Sequence, residues 1–219
     1  HLGLILLTQL RFEEGWREYE WRWEEKKNMD YGEKLNTSRP EWRPGSRGRV
    51  LLWPEQGVGD EVLFCSLIPD LLDQIETLIL QVDKRLIPLF KRTFGDKVKY
   101  FERGVHINLE EYDYHISMAS LPKFLRTSLN SFNTSKPLRL KTHKEKSKQL
   151  RSDLKGNSNK KIIGISWKSI SSKTIGRSLT LEQLILGIFS PNLCFVCLQY
   201  GDVDNEINFI KSKYNITIH

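Results

Sequence analysis

Short apolar runs and helix-period stretches alternate along this chain. "RVLLW" (49–53) and "TLILQV" (77–82) are unbroken apolar runs bounded by polar and turn residues, the pattern of strands buried on both faces. Between them the spacing predicts a helix over Val62 to Gln74. "KRLIPLFKRTF" reads as the next helix, with Pro88 near its start or kinking it, followed by strands at "KVKYFE" and "YDYHISMAS" and a short helix at "LPKFLRTS". Strand–helix alternation with short turns predicts a parallel sheet covered by helices. Right-handed crossovers make that arrangement Rossmann-like. The pattern restarts near Lys160: strand "KKIIGISW", helix "LTLEQLILGI", strand "LCFVCLQY", helix "NEINFIKSKY", and the opening of another strand at "ITIH".

The amino-terminal part is different. "LGLILLTQL" reads as a packed helix, "RFEEG" as a turn and "WREYEWRWEEK" as a second helix. Trp16, Tyr19 and Trp23 stand at i, i+3 and i+7 of that helix, an aromatic stripe suited to packing on a core. Residues 28–48 are rich in Pro, Gly, Ser and Asn and predict an extended connection pinned by Trp42. The expected fold class is α/β. A helical hairpin (1–27) and the connection (28–48) precede a Rossmann-like domain (49–140), a basic linker (141–160) and a second Rossmann-like domain (161–219). His1 in place of Met, and the few strands of the second domain, lead to the expectation of a piece of a longer frame with that domain truncated.

Charge changes the picture locally. The chain has 219 residues and a formal net charge of +7. "KTHKEKSKQLRSDLKGNSNKK" concentrates the excess, while "FEEGWREYEWRWEE" is acidic and aromatic. A basic stretch can meet nucleic acid, anionic lipid or a nucleotide-linked substrate, or be a solvated linker. The stretch has no Phe, Tyr or Trp interleaved for base stacking, which argues against nucleic acid as the partner. No apolar run reaches the ~20 residues that cross a membrane, and the opening helix lacks the basic flank of a signal peptide. Cys194 and Cys197 are spaced C-x-x-C but lie in a strand-type run, so they read as structural cysteines in a reducing, cytoplasmic setting.

The candidate chemistry lies in two loops after strands, where open α/β sheets bind ligands. In "EQGVGDEV" Gly57 and Gly59 allow close approach of a ligand, but no third glycine completes a dinucleotide pattern. Glu55, Asp60 and Glu61 supply the wrong charge for a phosphate cradle. Gln56, Gly57 and Gly59 therefore read as an acceptor loop for a hydroxyl-bearing ligand. Asp60, or secondarily Glu55, reads as a general base, with helix capping by Asp60 an equal alternative. "SWKSISSKTIGRS" is the opposite case: Lys168, Ser169, Lys173 and Arg177 can meet a diphosphate or stay a surface loop, and Gln199 in "LQYGD" follows the next strand. No metal site and no cofactor are expected.

Four stretches, "RFEEGWREYEWRW", "LLWPEQGVGDEVLF", "YDYHISMASLP" and "IGISWKS…RSLTLEQL…FVCLQYG", occur in the order seen in a known group. Together they resemble bacterial proteins that join tetratricopeptide repeats to a glycosyltransferase-like body, distantly similar to heptosyltransferases and O-GlcNAc transferases. The resemblance implies a GT-B architecture of two Rossmann-like domains, with a nucleotide-sugar donor held mainly by the second. It implies that the opening hairpin is the end of a repeat, with Gly3, Phe12, Gly15 and Tyr19 at its packing positions. It places Asp60 at a catalytic-base position and Lys168 or Arg177 at a donor-phosphate position. The implied activity is sugar transfer to a protein or glycan hydroxyl. The alternative is a non-catalytic interaction scaffold with a degenerate transferase body.

Overall fold

The structure is a computed structural model that describes residues 2–24, 34–155, 159–169 and 178–219. It divides into two compact units, His1–Thr142 and His143–His219.

The first unit opens with a helical hairpin, α1 (Leu2–Thr8) and α2 (Phe12–Tyr19), continued by a 3-10 turn at Glu20–Trp23. "FEEG" is therefore helix, and the turn falls earlier, at Gln9–Arg11. Leu10 takes the left-handed conformation at φ 61°. Arg11 N–H donates to Leu6 O at 3.0 Å and Leu10 N–H to Leu7 O at 3.0 Å. These two bonds form a Schellman end, which closes α1 without the usual glycine. The glycines do their work in the packing. A methyl group on Gly3 would stand 2.7 Å from Tyr19 N and 2.9 Å from Gly15 O, so the two backbones touch where side chains would hold them apart.

The sheet of this unit has β1 (Arg49–Trp53), β2 (Thr77–Val82), β3 (Val98–Glu102) and β4 (Tyr114–Ser117) in the order β3-β2-β1-β4, all parallel. β1 and β2 are central and buried on both faces, which is why they read as unbroken apolar runs. On one face Val50, Leu52, Leu78, Leu80 and Ile116 pack with Ile68, Leu71 and Phe90 of the covering helices. Each fully buried aliphatic side chain there contributes about 2 kcal/mol of apolar transfer. On the other face Leu51, Trp53 and Ile79 meet Ile107 and Tyr112. Trp42 is fully buried and lies edge-on to Phe124, and Glu41 bridges to His115, so this part of the connection runs beside β4.

The helix expected over 62–74 begins earlier and is broken. α3 spans Val58–Phe64, a 3-10 turn follows at Cys65–Leu67, and α4 spans Ile68–Leu72 with Pro69 in its first turn. Pro69 lacks the N–H that a continuous helix would need. α5 (Ile87–Phe94) has Pro88 in its first turn, the first of the two expected placements. After β4 come α6 (Pro122–Leu125) and α7 (Leu129–Asn133), the latter capped by Ser128.

The second unit begins with α8 (Lys144–Lys155), so much of the basic stretch is a helix. β5 (Lys161–Ile165) and β6 (Leu193–Cys197) pair in parallel, joined by α9 (Leu181–Ile188) and followed by α10 (Asp204–Tyr214). "ITIH" adds a single parallel bridge, Phe195 to Ile218. Cys194 and Cys197 lie within β6 as free thiols. No helix among the described residues is long and apolar enough to cross a membrane.

The hairpin contact sets the first testable outcome. Gly3→Ala must push backbone from backbone and is expected to lower stability by about 1–3 kcal/mol in a denaturant titration. An unchanged midpoint would mean that the two helices are not held at this distance.

Candidate functional site

In the order β3-β2-β1-β4 the connections diverge between β1 and β4, and an open sheet has its crevice at the carboxyl ends there. Trp53-Pro54-Glu55 leaves β1 on one side and Ser117–Ser120 leaves β4 on the other. The space between them holds Arg22, delivered by the hairpin. Its Nε and Nη2 donate to the two oxygens of Glu55 at 2.7 and 2.9 Å. Nη2 also donates to Ser120 Oγ at 2.7 Å, and Nη1 to Glu20 Oε1 at 2.7 Å and Tyr19 O at 3.1 Å. These contacts use the whole guanidinium fork. The ion pair is sealed, with side chains 3% and 1% exposed. The rings of Tyr19 and Trp23 each lie 4.5 Å from the guanidinium carbon. Glu55 Oε1 accepts a further bond from Ala119 N–H at 3.2 Å.

This geometry separates the three acids of the "EQGVGDEV" loop. Glu55, a candidate base from the sequence, is buried with both oxygens committed and serves as the counter-ion of Arg22. Glu61 is also buried. Its Oε2 accepts from Asp83 N–H at 2.8 Å, and its Oε1 stands 3.5 Å from Arg103 Nη1. Burial pushes the Glu61 carboxyl above the ordinary carboxylate range, against the opposing pull of the Asp83 N–H and Arg103. Arg103 donates in addition to Gln56 O, so the loops that leave β1, β2 and β3 are tied together.

Asp60 is half-exposed on the first turn of α3. Gly57 is the N-cap, and Asp60 sits three positions on, where its Oδ2 accepts from Gly57 N–H at 3.2 Å. Among the described residues its carboxylate has no other hydrogen bond or ion pair. One oxygen closes the helix start and the other is available, so capping and proton acceptance are compatible.

The loop glycines carry less than the sequence implied. Gly57 has φ −79° and ψ 174°, an extended conformation open to any residue. A methyl group on Gly59 would meet nothing within 4 Å, so no contact inside the protein demands glycine there. Gln56 donates from Nε2 to Tyr19 Oη at 2.7 Å, so its amide fastens the hairpin to the loop.

In the second unit Gln199 is a clamp. Its Oε1 accepts from Ser166 Oγ, Trp167 N–H and Lys168 N–H, each at 3.0 Å, and its Nε2 donates to Lys168 O at 2.9 Å. The Lys168 ammonium pairs with Glu206 of α10, whose other oxygen accepts from Trp167 Nε1 at 2.8 Å. Ser169 N–H donates to Ser178 Oγ at 3.1 Å. Lys173 and Arg177 lie outside the described residues. The two strand ends thus bring Lys168, Ser169 and Gln199 together, with an acid that spacing alone did not point to. No group of three or more potential metal ligands occurs among the described residues.

The fold is α/β with a four-stranded parallel sheet, a Rossmann-like core. No family model matches the chain, and no solved structure matches it. The chain is similar to protein FlbA of Caulobacter vibrioides, with 29% identity over 240 aligned positions that cover 98% of this chain. It spans 39% of that relative's length.

Two outcomes follow from the buried polar groups. Arg22→Met leaves Glu55 buried without its partner and is expected to cost about 3–5 kcal/mol, while Arg22→Met combined with Glu55→Met costs less than that single change. Denaturant titration of both variants checks this, and equal or additive losses would contradict it. His115, inside β4, accepts from Trp53 Nε1 at 3.1 Å through Nδ1, which requires the neutral ring. Burial holds its pKa below the ordinary value, with Glu41 pulling upward and Lys34 downward. The unfolded imidazole takes its proton at about pH 6.5, so the stability from neutral His115 is complete above that pH and is lost as pH falls toward the folded value. The midpoint is expected to drop more steeply from about pH 7 to 5 in the parent chain than in His115→Phe; parallel slopes would exclude the effect.

Proposed function

We propose that the chain is part of a nucleotide-sugar-dependent glycosyltransferase of GT-B type. In this reading the hairpin is tetratricopeptide-like, and the second unit begins the donor-binding Rossmann-like domain. The single observation that supports it most is the uncommitted oxygen of Asp60 at the carboxyl edge of a parallel sheet, next to two acids whose oxygens are spent. Asp60 accepts the proton of an acceptor hydroxyl, on a protein or a glycan. The hydroxyl oxygen then bonds to the anomeric carbon of the donor sugar as the bond from that carbon to the diphosphate oxygen breaks. The nucleoside diphosphate leaves with the electron pair. Lys168 serves the departing diphosphate by exchanging Glu206 for a phosphate oxygen, an electrostatic role. Arg177 keeps the donor-side role that the resemblance implies, and Lys173 the one that the basic loop suggests. The reaction as written needs no metal and no cofactor.

A second reading is a non-catalytic interaction scaffold. The observation that favours it is the closed crevice: Arg22 and Glu55 occupy the place where an open sheet would receive a ligand.

Transfer or hydrolysis of nucleotide-sugars by the full-length protein, compared with Asp60→Asn, decides between them. The transferase reading expects turnover to fall by about 100-fold or more, as for loss of a general base. Unchanged turnover would remove Asp60 from the base role. No turnover in the parent, with no thermal shift from uridine, guanosine or adenosine diphosphate, would favour the scaffold.

A further inference from the structure

The basic stretch that the transferase reading leaves unused is organised by α8. At 3.6 residues per turn, Lys144, Lys148 and Arg151 stand at i, i+4 and i+7, within about 60° of arc along about 10 Å of axis. All three are exposed, and none has a hydrogen-bond or ion-pair partner for its side chain among the described residues. Of the two acids of the helix, one flanks the stripe and one lies on the opposite face. Glu145 borders the stripe, about 60° round from Lys148, but no ion pair joins the two among the described residues; Asp153 lies about half a turn away, where Gln149 donates to it at 2.8 Å. Leu154 is half-buried beside Cys194 and lies about 60° round from Arg151, so the charged line runs along the flank of the contact that α8 makes with its own unit.

We propose that this stripe docks the protein on an anionic bilayer surface. Partners differ in how they present negative charge. Phosphates of a nucleic-acid duplex sit at fixed rise and wind away from a straight line, and residues 141–161 contain no Phe, Tyr or Trp to stack on bases. Acidic headgroups diffuse laterally and collect beneath a fixed row of cations. Helix-borne lysine and arginine clusters are attracted by such a surface within a Debye length. The apolar residues of α8 are Leu150, which is 49% exposed, and Leu154, which is half-buried in its own unit, too little free apolar surface to anchor the helix, so the attachment is electrostatic, reversible and salt-sensitive. It is independent of the transferase reading.

The test is co-sedimentation of the full chain with vesicles of phosphatidylcholine alone or of equal parts phosphatidylcholine and phosphatidylserine, with a gel shift on duplex DNA run beside it. Binding to the anionic vesicles only, lost in high salt, is expected. The triple variant Lys144→Gln, Lys148→Gln, Arg151→Gln should weaken it roughly 100-fold. A control that removes equal charge from the same unit, Lys146→Gln, Lys160→Gln, Lys161→Gln, should weaken it roughly tenfold or less. Equal losses in the two variants would reduce the effect to net charge and overturn the stripe. Absence of vesicle binding, or DNA binding tighter than vesicle binding, would overturn the bilayer as partner.

Discussion

A buried arginine organises the first unit. Arg22 comes from the end of the hairpin and its partners come from the ends of β1 and β4, far apart in sequence. Taking a guanidinium and a carboxylate out of water is costly, and the cost is offset only where every donor and acceptor is paired. Here they are: Glu55, Glu20, two serine hydroxyls and a backbone carbonyl complete the set, between two aromatic rings. A network of this kind tolerates little displacement, because a half-satisfied one is worse than an apolar contact. The hairpin is thereby a structural part of the sheet domain. The close contact of Gly3 with the second helix, and the bond from Trp16 Nε1 to Arg126 O at 2.9 Å, serve the same end.

This constraint also assigns the acids near the sheet edge. Glu55 answers Arg22, Glu61 ties three loops together through Asp83 and Arg103, and Asp60 retains an available oxygen. Three carboxylates in seven residues read as one acidic loop. They are two buried ties and one half-exposed group. A parallel division appears in the second unit, where Gln199 holds the backbone after β5 and Lys168 is balanced by Glu206.

The central strands were legible because burial on both faces leaves an unbroken apolar run, as in "RVLLW" and "TLILQV". Pro88 marked the start of α5 because its ring suits the first helical turn. The start of α3 was misplaced because Gly57 and Gly59 were weighed as loop residues, whereas Gly57 is an ordinary N-cap and Gly59 lies inside the helix. The hairpin turn was misplaced because Leu10, not a glycine, takes the left-handed position. Arg22, Arg103 and Glu206 were missed for another reason. Their roles depend on partners that only the fold brings near, and local spacing carries no trace of a pair separated by tens of residues. The one local hint was the arginine between two tryptophans in "EWRW", a setting that suits a stacked guanidinium.

Native-state hydrogen exchange tests the central claim most directly. If the Arg22 network makes hairpin and sheet one cooperative body, the amides of α2 should exchange with the same free energy and the same denaturant slope as those of β1 and β4. Release of α2 at a distinctly lower free energy, while the sheet amides stay protected, would show a separable hairpin and contradict the account.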